Sequence, residues 1–225
     1  MKIVCFGDSL TRGVSVVKGR LRITKKNYPY YLKEFLASDI AVVNKGVFNA
    51  HSESLLKRLD KDILEENPDY VIIGIGGNDC NFNWNEVLEH PEQEHQPIVP
   101  AERYDANVRT MIETIKAAGI TPIVMTLPPL DPVRYYQYLF SQHGSSIGHL
   151  ISLLGGMEHW HGMYNDRLIK LADELQIVKI DVRTALRQAG SLAHLISDDG
   201  IHLTPAGYRE VGRVVSHFFN GLQGT

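Results

Sequence analysis

A chain of 225 residues with 44% hydrophobic content can bury one sizeable core and is short for two, so a single domain spanning residues 1–225 is expected. A formal net charge of −3 gives no basic surface of the kind that nucleic acid or an anionic membrane recruits, and both are excluded as partners. Two cysteines, Cys5 and Cys80, are too few for a disulfide framework; with no leader-like segment and no apolar run of about 18 residues, the expected location is the cytoplasm, without a membrane span.

Short β-branched runs alternate with longer amphipathic ones, the pattern of βαβ units feeding a parallel sheet. A first strand over 2–6 runs into FGDSL, a helix near 28–37 follows, and a second strand at 40–44 leads into NKG. A helix near 53–66 precedes a third strand at 70–75, which ends in GIGGND. Then come a helix at 103–118, a fourth strand at 121–126, a helix at 163–175 and a fifth strand at 177–180. Asp181, just beyond, is placed to N-cap a short helical stretch. In the final helix Thr204 serves as cap, Pro205 suits the first turn, and Gly221 after Asn220 marks the end. Each crossover is long enough for a right-handed connection. The expected fold is therefore α/β, doubly wound, with a five-stranded parallel sheet.

Two segments exceed what that scaffold needs. Residues 81–100 are polar and bounded by proline, and 128–160 carry Tyr135, Tyr136, Tyr138, Phe140 and Trp160. Both follow strands and so fall on the carboxyl edge of the sheet, where long connections tend to carry function. The aromatic segment reads equally as a lid or acyl-pocket wall and as a helix packing a small core of its own.

Ser9 stands directly beyond the first strand, where an open α/β sheet presents groups to a ligand. A serine hydroxyl becomes a useful nucleophile only when a base takes its proton, and the base must be held by a carboxylate. DDGIH, near the other end, supplies both: Asp199 and His202 are three residues apart in a turn before the last helix, with Asp198 as the rival carboxylate. Oxyanion donors are offered by the Ser9 N–H, by the N–H of Gly46 and by the Asn78 amide, each at a strand end. Asp8 orders the nucleophile turn through local backbone bonds.

The four blocks FGDSL, NKG, GGND and DGIH, in that order, resemble the SGNH/GDSL hydrolase family over nearly the whole chain. The resemblance implies a flavodoxin-like three-layer fold, Ser9, Asp199 and His202 as catalytic triad, and Ser9, Gly46 and Asn78 as the oxyanion hole. It also implies hydrolysis of a small-molecule carboxylic ester without metal or organic cofactor. Many members carry another Gly and then Thr where this chain has Asn49 and His51; asparagine tolerates the left-handed conformation such a turn needs.

His159 with His161 and His90 with His95 lack the spacing and acidic third ligand of a zinc site, so no metal is expected. GIGGND departs from the dinucleotide fingerprint at Asp79, and no phosphate loop is present. The favoured function is a serine esterase acting on a short-acyl ester, an acetylated sugar among the candidates. A lysophospholipase, thioesterase or acyltransferase would use the same groups, and a non-catalytic small-molecule binding module is the alternative of another class.

Overall fold

In β1 (Lys2–Gly7), Val4 and Phe6 point to one side of the sheet and Ile3 and Cys5 to the other, and all four are fully buried. A strand buried on both faces requires a layer of helices on each, which is why these strands read as continuous apolar runs rather than alternating ones. The computed structural model describes residues 1–145 and 147–223.

Two short strands form a hairpin of their own, β2 (Val14–Val17) and β3 (Arg20–Ile23). The central sheet adds β4 (Ala41–Gly46), β5 (Tyr70–Gly74), β6 (Thr121–Met125) and β7 (Val178–Ile180) to β1, all parallel, in the order β4-β1-β5-β6-β7. Counted along the chain this is the 2-1-3-4-5 order of flavodoxin-like folds, with its crevice where the winding reverses, between β1 and β5.

One face of the sheet is covered by α3 (Ser52–Leu56) with the turn that follows it, by α5 (Ala101–Ala117) and by α8 (Met157–Glu174). The other is covered by α2 (Tyr28–Phe35), α9 (Val182–Gln188) and α11 (Pro205–Gln223). The remaining helices are α1 (Ser9–Arg12), α4 (Trp84–Glu89), α6 (Pro132–His143), α7 (Ile147–Leu153) and α10 (Leu192–Leu195).

The five expected strands are present with ends shifted by one or two residues, and the structure departs from expectation in four places. The β2–β3 hairpin was not anticipated, although Lys18 and Gly19 at its tip, both at positive φ, form the two-residue turn that antiparallel pairs favour. The helix expected at 53–66 breaks into α3 and a π-helical turn, Asp60–Leu64. Its buried residues Leu55, Leu59 and Ile63 are spaced by four, which drifts around an α-helix, and the wider turn brings Ile63 back to the core. α8 starts six residues early, because Met157 and His161 extend the buried stripe of Tyr164, Leu168 and Leu171 toward the amino end. Gly221 does not end α11: the helix runs through it to Gln223, since a left-handed cap is needed only where the chain turns away. Thr204 and Asp181 do cap, accepting from the N–H groups of Gly207 at 3.2 Å and Thr184 at 2.9 Å.

The two insertions pack against each other. Phe82, Trp84 and Val87 from the first and Leu130, Leu139, Ile147, Leu150 and Met157 from the second form a third apolar cluster above the carboxyl edge of the sheet. The aromatic segment thus has a small core of its own and also forms a wall, described below.

Ile72 lies fully buried at the middle of the central strand β5. Ile72→Ala should therefore cost about 2–5 kcal/mol in denaturant unfolding; a loss below 1 kcal/mol would contradict its burial beneath α2, α9 and α11.

Candidate active site

The chain leaves β1 through Gly7, where a Cβ would stand 2.3 Å from Thr11 Oγ1 and 2.4 Å from the Gly74 carbonyl oxygen. Only glycine permits so close an approach, and it lets the single turn of α1 sit directly on the strand ends. Asp8 caps that turn, its Oδ1 accepting from the Leu10 N–H at 2.9 Å. Arg12 N–H donates to the Asp8 carbonyl and Gly13 N–H to that of Ser9, which fixes the Ser9 side chain at the sheet edge.

The partner loop is equally constrained. Ile196 and Leu203 form an isolated bridge, Ser197 N–H donates to the His202 carbonyl at 2.7 Å, and Thr204 opens α11. Gly200, at φ 77°, lies so close to α6 that a Cβ would stand 2.3 Å from the Tyr135 nitrogen. The result is that His202 Nε2 lies 2.8 Å from Ser9 Oγ, and His202 Nδ1 lies 2.5 Å from Asp199 Oδ2.

The other Asp199 oxygen accepts from Ser197 Oγ at 2.8 Å and from the His202 N–H at 3.1 Å. Burial pushes the Asp199 carboxyl up, but the bonds and charge of His202 with the Ser197 hydroxyl outweigh it and hold it below the usual carboxylate range. Asp198 faces the other way: its Oδ2 accepts from the Lys18 N–H at 2.6 Å, and its own N–H donates to the Val16 carbonyl. The rival carboxylate is thus a clamp for the hairpin, while Ser197 Oγ bonds both Asp199 and the Val16 N–H.

Of the three expected oxyanion donors, the Ser9 N–H has no partner among the described residues, and Asn78 lines the same cavity as Ser9. Asn78 Nδ2 spends one proton on the Ala50 carbonyl at 2.8 Å and has a second. Gly46 is a correction. Its N–H donates to Asn44 Oδ1 at 2.8 Å, and it is buried against the backbone of Thr11 and Arg12 rather than lining the cavity. Asn44, the first residue of NKG, is the clamp: its Nδ2 also donates to the Thr11 carbonyl at 2.8 Å, tying β4 to α1. Beyond it Asn49 adopts φ 57°, the left-handed conformation its type allows.

A cavity opens over Ser9 and His202, floored by Gly77 and Asn78 and walled by the insertions through Phe82, Trp84, Tyr135, Ile151, Leu154 and Trp160. Its wall is mainly apolar and aromatic with few polar groups, the make-up of a small-molecule site. The histidines considered for a metal go elsewhere. His161 Nδ1 lies 3.1 Å from Arg183 Nη1, and His95 Nε2 bonds the His90 carbonyl. Among the described residues no three His, Cys, Asp or Glu side chains group as metal ligands, and no described helix is long and apolar enough to cross a membrane.

A serine, a histidine and a carboxylate are thus hydrogen-bonded in series at the switch point of a doubly wound sheet, the place where such sheets bind ligands. The sequence pattern of the GDSL-like lipase/acylhydrolase family matches residues 5–210, and the chain belongs to that family. It is 27% identical over 220 residues to the uncharacterized lipoprotein YqeF of Bacillus subtilis, covering 93% of this chain and 85% of that protein. It is 23% identical over 214 residues to the isoamyl acetate-hydrolyzing esterase 1 homolog of Mus musculus, covering 92% and 76%. With the acetylxylan esterase of Geobacillus stearothermophilus it shares 29% identity over 147 residues, 59% of this chain and 64% of that one. Among solved structures, a putative lipolytic protein of the G-D-S-L family from Desulfitobacterium hafniense superposes with a TM-score of 0.68 at 25% identity over 96% of this chain and 98% of that one. The lipase/acylhydrolase from Enterococcus faecalis superposes with a TM-score of 0.72 at 22% identity, covering 98% and 95%.

Two outcomes test this geometry. Burial pushes the Asp8 carboxyl up to about 6, above its unfolded value near 3.9, so the folded state gives up this proton later than the unfolded one. Stability is therefore lost as pH rises from about 4 through 6. Asp8→Asn keeps the cap and removes that loss: its melting temperature should exceed that of the wild type at pH 8 and converge with it near pH 4. A difference independent of pH would contradict the burial of Asp8. For Gly46→Ala, the new Cβ would meet the Arg12 nitrogen at 2.2 Å, so stability should fall by about 1–3 kcal/mol in thermal unfolding. An unchanged melting temperature with a reduced kcat would restore Gly46 to the oxyanion hole.

Proposed function

We propose that this protein is a serine esterase that removes a short acyl group, foremost acetyl, from an alcohol. The observation that carries the reading is the series Ser9 Oγ, His202 Nε2, His202 Nδ1, Asp199 Oδ2, with links of 2.8 and 2.5 Å, opening on an apolar cavity. Two relatives named for their substrates, the isoamyl acetate-hydrolyzing esterase homolog and the acetylxylan esterase, act on acetate esters. The aromatic wall suits either kind of alcohol, a branched alkyl chain or a sugar ring.

In the proposed reaction Ser9 Oγ attacks the ester carbonyl while its proton passes to His202 Nε2, and Asp199 stabilises the imidazolium that forms. His202 returns the proton to the departing alcohol and leaves an acyl group on Ser9. Water, deprotonated by the same imidazole, attacks the acyl carbon; the bond to Ser9 Oγ breaks, Oγ takes the proton back from His202, and the acid is released. The oxyanion is received by the Ser9 N–H and the Asn78 amide. For the third donor we reassign the role from Gly46 to the Asn49 N–H, which has no partner among the described residues and lies one residue from the carbonyl that Asn78 holds. The free, buried thiols of Cys5 and Cys80 support a reducing, cytoplasmic location, whereas the lipoprotein name of the B. subtilis relative speaks against it.

With p-nitrophenyl acetate as substrate, Ser9→Ala and His202→Ala should each lower kcat by about 10⁴ or more, and the double variant should be little worse than either. Additive losses would rule out a shared step. Asp199→Asn should lower kcat by about 10³–10⁴, whereas Asp198→Asn, still able to accept from Lys18, should stay within an order of magnitude of the wild type. A reversal of those two would exchange the carboxylates. Asn78→Ala should reduce kcat by about 10²–10³ with a smaller effect on KM; an effect on KM alone would make Asn78 a ground-state binding group.

A further inference from the structure

His161 lies on α8 at the inner end of the cavity that holds Ser9 and His202. It also lines a smaller cavity behind, which reaches Gly74, Met125 and Thr126 and shares Asp8, Leu10, Gly77 and Pro128 with the first. Its Nδ1 is 3.1 Å from Arg183 Nη1. A guanidinium only donates, so Nδ1 must present its lone pair, and the proton of the neutral ring is then fixed on Nε2.

Arg183 is itself held in place. The same Nη1 reaches the carbonyls of Leu127 at 3.3 Å and Pro128 at 3.4 Å, and the Arg183 N–H donates to Thr126 Oγ1 at 3.0 Å. Burial, followed by the charges of Arg183 and Arg187, pushes His161 down to about 3, so the ring stays neutral wherever the esterase works.

The wall of the cavity contains other donors on aromatic rings, and they are engaged. Trp160 Nε1 donates to the Cys80 carbonyl at 2.7 Å, while Trp84 Nε1 at 2.9 Å and the Tyr135 hydroxyl at 3.2 Å both reach Asn81 Oδ1. His161 Nε2–H has no acceptor among the described residues. Its orientation fixed and its proton uncommitted, this donor faces the cavity and is available to an occupant that can accept from it.

We infer that His161 is a substrate-binding residue whose Nε2–H donates to a neutral ether or hydroxyl oxygen that the substrate carries beyond its ester group. The oxygen is neutral because the Asp8 carboxyl lines the same inner end and repels an anion there when ionised. Arg183 acts through His161 as the positioning residue that sets its tautomer. This inference deepens the esterase reading and rests on it.

The test uses two matched ester pairs in which one CH₂ is replaced by oxygen: butyl acetate against 2-methoxyethyl acetate, and ethyl butanoate against ethyl methoxyacetate. The first pair puts the oxygen on the alcohol side and the second on the acyl side. For each pair the ratio of kcat/KM, oxygen member over hydrocarbon member, is compared between the wild type, His161→Leu and His161→Gln, so that the intrinsic reactivity of each ester cancels. In at least one pair His161→Leu should lower that ratio by about 3- to 10-fold, the loss of one hydrogen bond. His161→Gln, whose amide can accept from Arg183 and donate onward, should restore most of it. Equal losses on both members of both pairs, or an unchanged ratio, would overturn the inference and leave His161 as packing for α8. Absence of Ser9-dependent turnover of all four esters by the wild type would instead remove the esterase reading, and the inference with it.

Discussion

Burying the Asp199 carboxylate would cost several kcal/mol unless hydrogen bonds satisfied its oxygens, and the neighbourhood is arranged to supply them. Oδ2 is bonded to His202, and Oδ1 receives the Ser197 hydroxyl and backbone N–H groups. Each donor is fixed by something further out. Ser197 is bonded to the hairpin through Val16, the hairpin is clamped by Asp198, and the Tyr208 hydroxyl donates to the Val14 carbonyl. A small hairpin absent from the central sheet thus becomes part of what holds the imidazole toward Ser9.

The Ser9 side depends on close backbone approach. Gly7 and Gly46, paired across β1 and β4, let the single turn of α1 lie on the strand ends, and Asn44 ties it there. Asp79, beyond Asn78, is fully buried and accepts from the Ser52 N–H, so the start of α3 anchors the loop that carries the Asn78 amide. Burial holds its carboxyl above the usual range. The insertions complete the site by packing on one another and walling the cavity with the same elements. Their inner surface is therefore backed by a core of its own.

The strands and the blocks at their ends were legible in the sequence, because a doubly buried parallel strand is an apolar run and its carboxyl end is where unusual residues collect. Ser9 stands out for that reason, whereas Asp199 and His202 lie in a turn before α11 and are legible only from their spacing of three. The hairpin is hidden in the sequence despite the turn signal of Lys18 and Gly19, because β3 is exposed along its length and shows no apolar run. Gly46 was assigned from its lack of a side chain, and no pattern in the sequence announces that the Asn44 amide two residues earlier occupies its N–H. For His161 the sequence suggests only a metal ligand, since its partner Arg183 lies 22 residues away and meets it only through the fold.

The central claim is that Ser9 carries the acyl group, and covalent capture tests it most directly. Incubated with an alkyl fluorophosphonate, the protein should gain one adduct per chain by intact mass, with the modified peptide containing Ser9 and with ester turnover lost in proportion to labelling. Full turnover in an unlabelled protein, or an adduct on another residue that abolishes activity, would contradict the account.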